Sequence, residues 1–394
     1  MKYVTYRRIL FSRRALIGLG ICGLATLAGL LATWYIESNG HYVTGMSNAV
    51  PWGLSLAMAT FCIVAASGAL NVASIASVFG KEDYKPFSRL SCLLALALLA
   101  GGLFALLIDL GRPDQIFTAL THFNFTSVFA VNILIYTGFF IIVGLYGLVM
   151  LAAPQGGIVR PFGVASFIWR LIMTTGTGSV FGVLAGRGGM HSAIMPPLFI
   201  ALSLSLGLAI FILVLAGLEY SGQREARLDA VSGRIRGLLA TLVAVSFYMV
   251  LALNLIGIAS PAQRGYEAFV LCTGGVYPVL FWGGYLVVGT VLPLILLLAP
   301  PCRGSRACLL GAALATAVGG MALMYVLTIA PQAYPADIFP GMLVQGNALY
   351  AGPASYVPTI GELLVGLTGF GLAGLIVLVA ARIIPLLPQA PQED

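Results

Sequence analysis

The chain is short of charge. Only 8% of its 394 residues are Asp, Glu, Lys or Arg, whereas a soluble domain carries about 25%. With 60% hydrophobic residues and a mean hydropathy of +1.01, that shortage excludes a water-soluble globular protein. Histidine is scarcer still: of His41, His122 and His191, none falls in the middle of an apolar run. A b-type haem held inside a helix bundle needs axial ligands at that depth, commonly histidines, so no haem of its own is expected. The six cysteines are scattered and form no C-x-x-C, which leaves no cysteine motif for an iron–sulfur cluster or a structural zinc. Long polar segments are missing too. The longest stretches between apolar runs are 331–360 and 220–236, too short for a soluble domain.

What is present is a succession of continuous apolar runs. A membrane β-barrel would show short segments of alternating hydrophobicity, so the runs read as helices, each needing about 20 apolar residues to cross a bilayer. The sequence predicts an all-α polytopic membrane protein of about ten spans, arranged in two packed bundles: 15–36, 49–79, 87–109, 128–152, 163–185, 192–219, 237–259, 269–299, 307–330 and 361–384. The second and eighth are long enough to tilt or kink, with Pro51 and Pro278 as places to bend. The fifth contains Arg170. Arg13 and Arg14 ahead of the first run resemble a signal peptide, but the run reaches Trp34 without a small-residue cleavage site, so it is expected to remain as an anchor.

The net charge of +7 is not a nucleic-acid footprint. If the N-terminus is cytoplasmic, the lysines and arginines fall in inner segments, save Arg112, Arg187 and Arg264 outside and Arg170 within a span. The positive-inside rule then places both termini in the cytoplasm, in the inner membrane with lipid as the surrounding partner. In a cytoplasmic loop Cys302 and Cys308 are not expected to form a structural disulfide. The inner segment around Arg224–Arg236 alternates charge and reads as a short helical hairpin at the headgroups. The outer segment 331–360, rich in Pro, Gly and Tyr, reads as an ordered lid or docking surface. Small residues at helical spacing (Gly178, Gly182 and Gly186; Gly101 and Ala105; Ala65 and Ala69) are expected to mark close helix crossings.

On this topology all three histidines share the outer pole with Asp109, Arg112, Asp114, Arg187, Arg264, Glu267, Asp337 and Glu362. Ionisable groups are expensive near hydrocarbon and persist where they move protons, ions or electrons with protons. Asp109 and Arg112, spaced i, i+3, form either a salt bridge ending a helix before Pro113 or a carboxylate beside a proton-exchange cavity. The loop His122-Phe123-Asn124-Phe125-Thr126-Ser127 offers an imidazole, an amide and hydroxyls among aromatics. Those groups suit a flat quinone ring, whose carbonyls want one or two hydrogen-bond partners inside apolar walls, with His as a proton carrier near neutral pH. Arg187 and His191 lie in a very short outer turn. Glu362 opens the last span, where a helix N-terminus alone would favour an acid. Arg264 and Glu267, again i, i+3, can simply pair.

Several of these segments, in order, resemble the NrfD/PsrC family: Pro51-Trp52-Gly53, Gly80 to Pro86, Asp109-Leu110-Gly111-Arg112, and Phe123-Asn124 with Ser127. Pro358-Thr359 with Glu362, and the exit Arg382 to Pro388, are similar to its ten-helix branch, which includes HybB. Within that branch, Gly40 to Met46, Ala65 to Gly80 and Thr174 to Ser179 look most like DsrP-type members of sulfur metabolism. The resemblance covers nearly the whole chain as one domain. It implies a quinone-interacting membrane subunit (menaquinone or ubiquinone) with no cluster or haem of its own, docked to an extracytoplasmic ferredoxin-like iron–sulfur subunit. The DsrP likeness implies DsrO-, DsrM-, DsrK- and DsrJ-like partners. By motif position it assigns Asp109 and His122 to proton chemistry, and Arg112 and Asn124 to the quinone region. Arg187, His191 and Glu362 join that region as the remaining outer polar groups. Several relatives carry a histidine in the fifth span where this chain has Thr174-Thr175-Gly176-Thr177, so no ligand role transfers there. Two rival readings stand beside this one: a proton-coupled secondary transporter, with the outer cluster as a gate, and a structural anchor without quinone chemistry.

Overall fold

The computed structural model describes residues 6–7, 12–110, 115–152, 157–184, 186–221, 232–335 and 352–388. Arg112, Asp114, Asp337, and most of both the inner charged segment and the outer Pro/Gly/Tyr segment fall outside the described residues.

The chain is helical: α1 (Arg13–Asn39), α2 (Leu54–Ala69), α3 (Asn71–Ser77), α4 (Ser88–Asp109), α5 (Ile116–Thr121), α6 (Val128–Ala152), α7 (Val159–Gly182), α8 (Met195–Tyr220) and α9 (Ser232–Ala259). There follow α10 (Arg264–Ala268), α11 (Val276–Pro278), α12 (Leu292–Leu298), α13 (Arg306–Ala333) and α14 (Ile360–Ile383). Among the described residues nine helical segments are long and apolar enough to cross a membrane. The tenth, α7, has the length at 24 residues but carries Arg160 and Arg170, which keeps it below that apolar standard. Tyr6–Arg7 pairs antiparallel with Leu387–Pro388, so both ends of the chain lie at the same end of the bundle.

Two of the long spans are interrupted. Helix α2 stops at Leu70 and α3 resumes at Asn71, while Pro51 lies ahead of the helix and bends nothing. The eighth span breaks at Gly274–Gly275, where Gly275 has φ +66°, and residues Val279–Val291 wind as a π-helix behind Pro278. Here the proline fulfils its expectation, since it cannot donate the i→i−4 bond and a wider turn absorbs the defect.

Packing separates core from lipid-facing helices. Along Leu54–Ser77, 94% of the apolar window is buried, against 17% for α1. One group comprises α2, α4, α6 and α7, flanked by α14 and α1. The other comprises α8, α9, the Val276–Leu298 segment and α13. They join where α2 crosses α8. At that crossing a Cβ on Gly68 would fall 1.6 Å from the Ser203 carbonyl oxygen, and one on Gly207 would meet the Gly68 backbone. Only glycine lets the two backbones touch, as membrane helix packing favours. The spaced small residues behave as expected: Gly101 faces Gly369 on α14, and Gly178 and Gly182 face the start of α8. Gly186 differs, with open space among the described residues where its Cβ would stand.

Arg170 is wholly inside this packing at 4% exposure. Its Nη1 donates to Asn71 Oδ1 (2.5 Å) and the Ser67 carbonyl (3.3 Å), and its guanidinium lies 4.9 Å from the Phe167 ring centre. A dipolar cradle and a ring face therefore hold this charge where lipid cannot.

Candidate functional site

At the end of the bundle that carries the histidines, four helices and a turn close a small cleft. From α1 come Thr33, Ile36 and Glu37; from the turn after it, His41, Thr44 and Met46. Ser55 stands on α2, Ile108 and Asp109 end α4, and Glu362 and Val365 begin α14. The space within the cleft is ≈ 10 Å³, room for about one water molecule.

Glu362 is 1% exposed and does more than cap its helix. Thr359 is the N-cap, its hydroxyl accepting the Glu362 N–H at 3.5 Å. The carboxylate instead ties the outer connections together. Oε1 accepts the Gly45 N–H at 2.7 Å, and Oε2 accepts the Tyr356 hydroxyl. Tyr356 in turn accepts the Leu54 N–H at 2.6 Å. Burial, and then the neighbouring Glu362 carboxylate, push the Tyr356 phenol far above its ordinary range, so it stays a proton donor. Asp109 Oδ1 accepts the Ser55 hydroxyl. His41 Nε2 lies 4.0 Å from Glu37 Oε1, too long for a hydrogen bond, and has no hydrogen-bond partner among the described residues. An acceptor-rich carboxylate pair and an imidazole with a spare nitrogen thus face one apolar-walled space.

The expected site residues divide. Asp109 and Glu362 meet in this cleft. His122 does not join them: it is exposed at the end of α5, with Nδ1 3.1 Å from the Thr121 hydroxyl. Asn124 is also exposed, and its Oδ1 is spent on the Thr126 N–H (2.9 Å) and hydroxyl (2.7 Å) in a local turn. Arg187 donates to the Gln332 carbonyl at 3.2 Å. Gln332 grips the Trp52 backbone from both sides, accepting its N–H at 2.9 Å and donating to its C=O at 3.1 Å. This makes Arg187 part of the seam between the two helix groups.

His191 belongs to a second, larger cavity of ≈ 130 Å³ in the other helix group. Glu267 lies there, 4% exposed, with Oε2 lacking any hydrogen-bond partner among the described residues. The expected Arg264–Glu267 pair does not form. Arg264 donates to the Ile258 carbonyl at 3.2 Å, because α10 turns Glu267 inward and leaves Arg264 in the open. Burial raises the Glu267 carboxyl to about 7.

Sequence reasoning placed His41 in the outer cluster without assigning it to the site, and passed over Ser55, Tyr356 and Gln332. For His41 a signal existed, since it sits in the Gly40–Met46 segment. Ser55, Tyr356 and Gln332 are unremarkable in a one-dimensional reading, because their partners lie 54, 302 and 280 residues away.

Interrupted apolar helices with polar groups at their ends define an integral, multi-pass α-helical membrane protein. Residues 42–336 match the family model described as polysulphide reductase, NrfD, and the chain belongs to that family. It is 29% identical over 383 residues, 94% of each chain, to the Hdr-like menaquinol oxidoreductase integral membrane subunit of Archaeoglobus fulgidus. It is 26% identical over 312 residues to the C polypeptide of the polysulfide reductase of Wolinella succinogenes, covering 73% of this chain and 96% of the relative. The C polypeptide of the selenate reductase of Mesobacillus selenatarsenatis is 21% identical over 409 residues, 93% of each.

Proposed function

We propose that this chain is the quinone-reactive membrane subunit of a multi-subunit oxidoreductase, and that the Asp109–Glu362–His41 cleft receives the quinone head. One observation carries the reading: Asp109, Glu362 and His41, far apart in sequence, converge with Glu37 on one small apolar-walled cleft at one end of the bundle. The donor set fits the group, because a quinone wants apolar walls and a few hydrogen-bond partners that also handle protons. Bound there, a quinone supplies two-electron, two-proton redox chemistry. Menaquinol is the favoured form, by likeness to the Archaeoglobus relative named for it.

The chain's own residues do the following. Asp109 holds or releases a proton at Oδ1, oriented by Ser55. His41 passes a proton through its unpartnered Nε2. Glu362 stays anchored by Gly45 and Tyr356 and fixes the cleft's shape and negative charge. His122, exposed beside this end, exchanges protons with water, and Arg112 and Asn124 are assigned to the approach. Electrons come from or go to an extracytoplasmic ferredoxin-like iron–sulfur subunit, in the manner of a DsrO-like partner, at the histidine end. DsrM-, DsrK- and DsrJ-like subunits would complete a sulfur-metabolism complex. Both termini lie in the cytoplasm, by the basic-residue bias.

The test is quinol turnover by the purified complex. Asp109→Asn and His41→Phe should each cut turnover while the complex assembles and its clusters stay reducible from the partner side. Full turnover in the assembled double variant would overturn the assignment. Single cysteines placed within 336–351 should react with impermeant reagent in intact cells, and protection there would reverse the orientation.

A further inference from the structure

The second cavity is built for something. Its floor is apolar, from Val250, Leu253, Val270, Leu323 and Val326, and its polar residues (His191, Ser192, Asn254, Gln263) gather at the histidine end. The helices that form it, α8, α9, α10 and α13, contribute no residue to the Asp109 cleft. Glu267 reaches into it because position 257 is glycine. A Cβ there would fall 2.2 Å from Glu267 Oε1 and 2.6 Å from its Cγ and Cδ. The helix thus leaves a notch for a carboxyl group, yet among the described residues nothing in the notch bonds Oε2. An acceptor left bare in an apolar place costs free energy that a neutral side chain of the same shape would not.

Two of the nearby polar side chains are held in place. Gln263 accepts the Gly189 N–H at 3.0 Å and donates to the His191 carbonyl at 3.4 Å. Asn254 donates its amide to the Val250 carbonyl at 2.7 Å. These bonds fix the rim, and of the cavity's fully buried side-chain oxygens Glu267 Oε2 is left without a partner among the described residues.

We propose that this cavity is a second amphiphile site, which binds a hydroquinone through a hydroxyl donated to Glu267 Oε2 with the apolar ring against α9 and α13. The inference rests on the reading of this chain as quinone-reactive, but on a different set of residues. The size suits a single aromatic ring, at ≈ 130 Å³, close to the roughly 150 Å³ of an apolar cavity that binds benzene. Charge narrows the choice. Among the described residues no Lys or Arg lines the cavity, so a phospholipid head would bring a phosphate that meets only an acid and neutral groups. A hydroquinone is neutral and supplies the one thing Glu267 lacks. The oxidised quinone offers only acceptors and brings no donor to the bare Oε2, so the site favours the reduced form.

The experiment is photolabelling of the whole complex in lipid nanodiscs with a radiolabelled azido-hydroquinone, followed by peptide mapping. Label is expected on the 249–271 peptides as well as on those of the Asp109 cleft. Glu267→Leu, close in volume and without an acceptor, should reduce cavity label about tenfold or more, the scale of a lost bond to a charged group, and leave cleft label intact. Glu267→Gln keeps an acceptor and should restore part of it. Asp109→Asn should have the converse effect. Unlabelled hydroquinone should displace the cavity label, and the oxidised quinone or diacylglycerol should not. Cleft label without cavity label overturns the second site alone. Cavity label without cleft label upholds it and overturns the cleft assignment. Cavity label unmoved by Glu267→Leu, or displaced equally by diacylglycerol, overturns the inference.

Discussion

The two ends of this bundle use their charges differently. At the end where the termini meet, cations find acids or carbonyls. Arg306 pairs with Glu219, and Arg234 with Asp83. Arg14 lies over the Tyr220 ring at 4.4 Å. Arg236 donates to the carbonyls of Leu296 (3.0 Å) and Ser305 (2.7 Å), closing off helix ends. At the opposite end, the carboxylates of Glu362 and Asp109 are held by hydroxyls and a backbone N–H, and Glu267 Oε2 by nothing among the described residues. Charge neutralised by charge serves topology and cohesion. A carboxylate held only by neutral donors keeps its ability to take up or release a proton. The proposed site falls at the end whose acids are oriented without being neutralised.

Substitutions at the two ends should therefore separate stability from turnover. The largest effect is expected at the terminal end, where Arg89 donates to the Pro385 carbonyl (3.0 Å) and the Met150 carbonyl (2.9 Å). Arg89→Ala strands both in a dry place at about 1–3 kcal/mol each, and should appear as a lowered thermal midpoint and poor yield. If the protein is indifferent to it, the terminal end is not the cohesive one.

Next comes Asp109→Asn at the histidine end. Loss of a positioned proton carrier costs about 100-fold or more, so quinol turnover should collapse while the thermal midpoint barely moves. A fall in midpoint with normal specific turnover would make Asp109 a structural group and erase the contrast. His41→Phe should follow with a smaller turnover loss. His122→Phe should be the mildest of the three, because His122 stands outside the cleft.

Glu267 gives a pH signature. Its carboxyl is raised in the folded protein to about 7, above the unfolded value of about 4.3. The folded state thus binds the proton more tightly, and stability must fall as pH rises from about 4.3 to about 7. Tyr266 beside it and His191 across the cavity are the titratable groups that share this space. Thermal midpoints of wild type should decline over that window, and Glu267→Gln should flatten the decline. An unchanged slope would mean Glu267 is solvated in the assembled protein. The smallest effect belongs to Arg234→Ala. Its pair with Asp83 is exposed, at 64% and 59%, and such pairs contribute about 0–1 kcal/mol.

The comparison also shows how far the sequence could be read. The spans were legible because hydrocarbon leaves a long apolar run as its mark, and nine of the ten expected spans satisfy it among the described residues. Even the interruption near Pro278 was foreseeable. Asp109 and Glu362 were picked out because an acid at the end of a span is conspicuous. His122 and Asn124 were chosen for nearness along the chain to Asp109. Yet α5 carries them outward, and the chain neighbour is not the spatial one. The turn at Gly40–Met46 brings in His41 instead, delivered by α1 packing on α14. The expected Arg264–Glu267 pair failed for a related reason. Spacing of i, i+3 permits contact on a helix face, but which side of a short helix turns inward depends on what lies behind it.

Composition and the order of apolar runs by themselves determined that this is a multi-pass helical membrane protein with its scarce ionisable groups at the span ends. Water and hydrocarbon sort residues one at a time, and that sorting can be read without a fold. Only the tertiary structure decided that Asp109, Glu362 and His41 share a cleft, that Gly257 makes room for Glu267, and that a glycine crossing at Gly68 and Gly207 joins the two helix groups. Those choices depend on which helix faces meet. In a bilayer, apolar faces are nearly interchangeable, so the meeting is settled by shape, close backbone approach and a few long-range hydrogen bonds, none of which is written in local sequence.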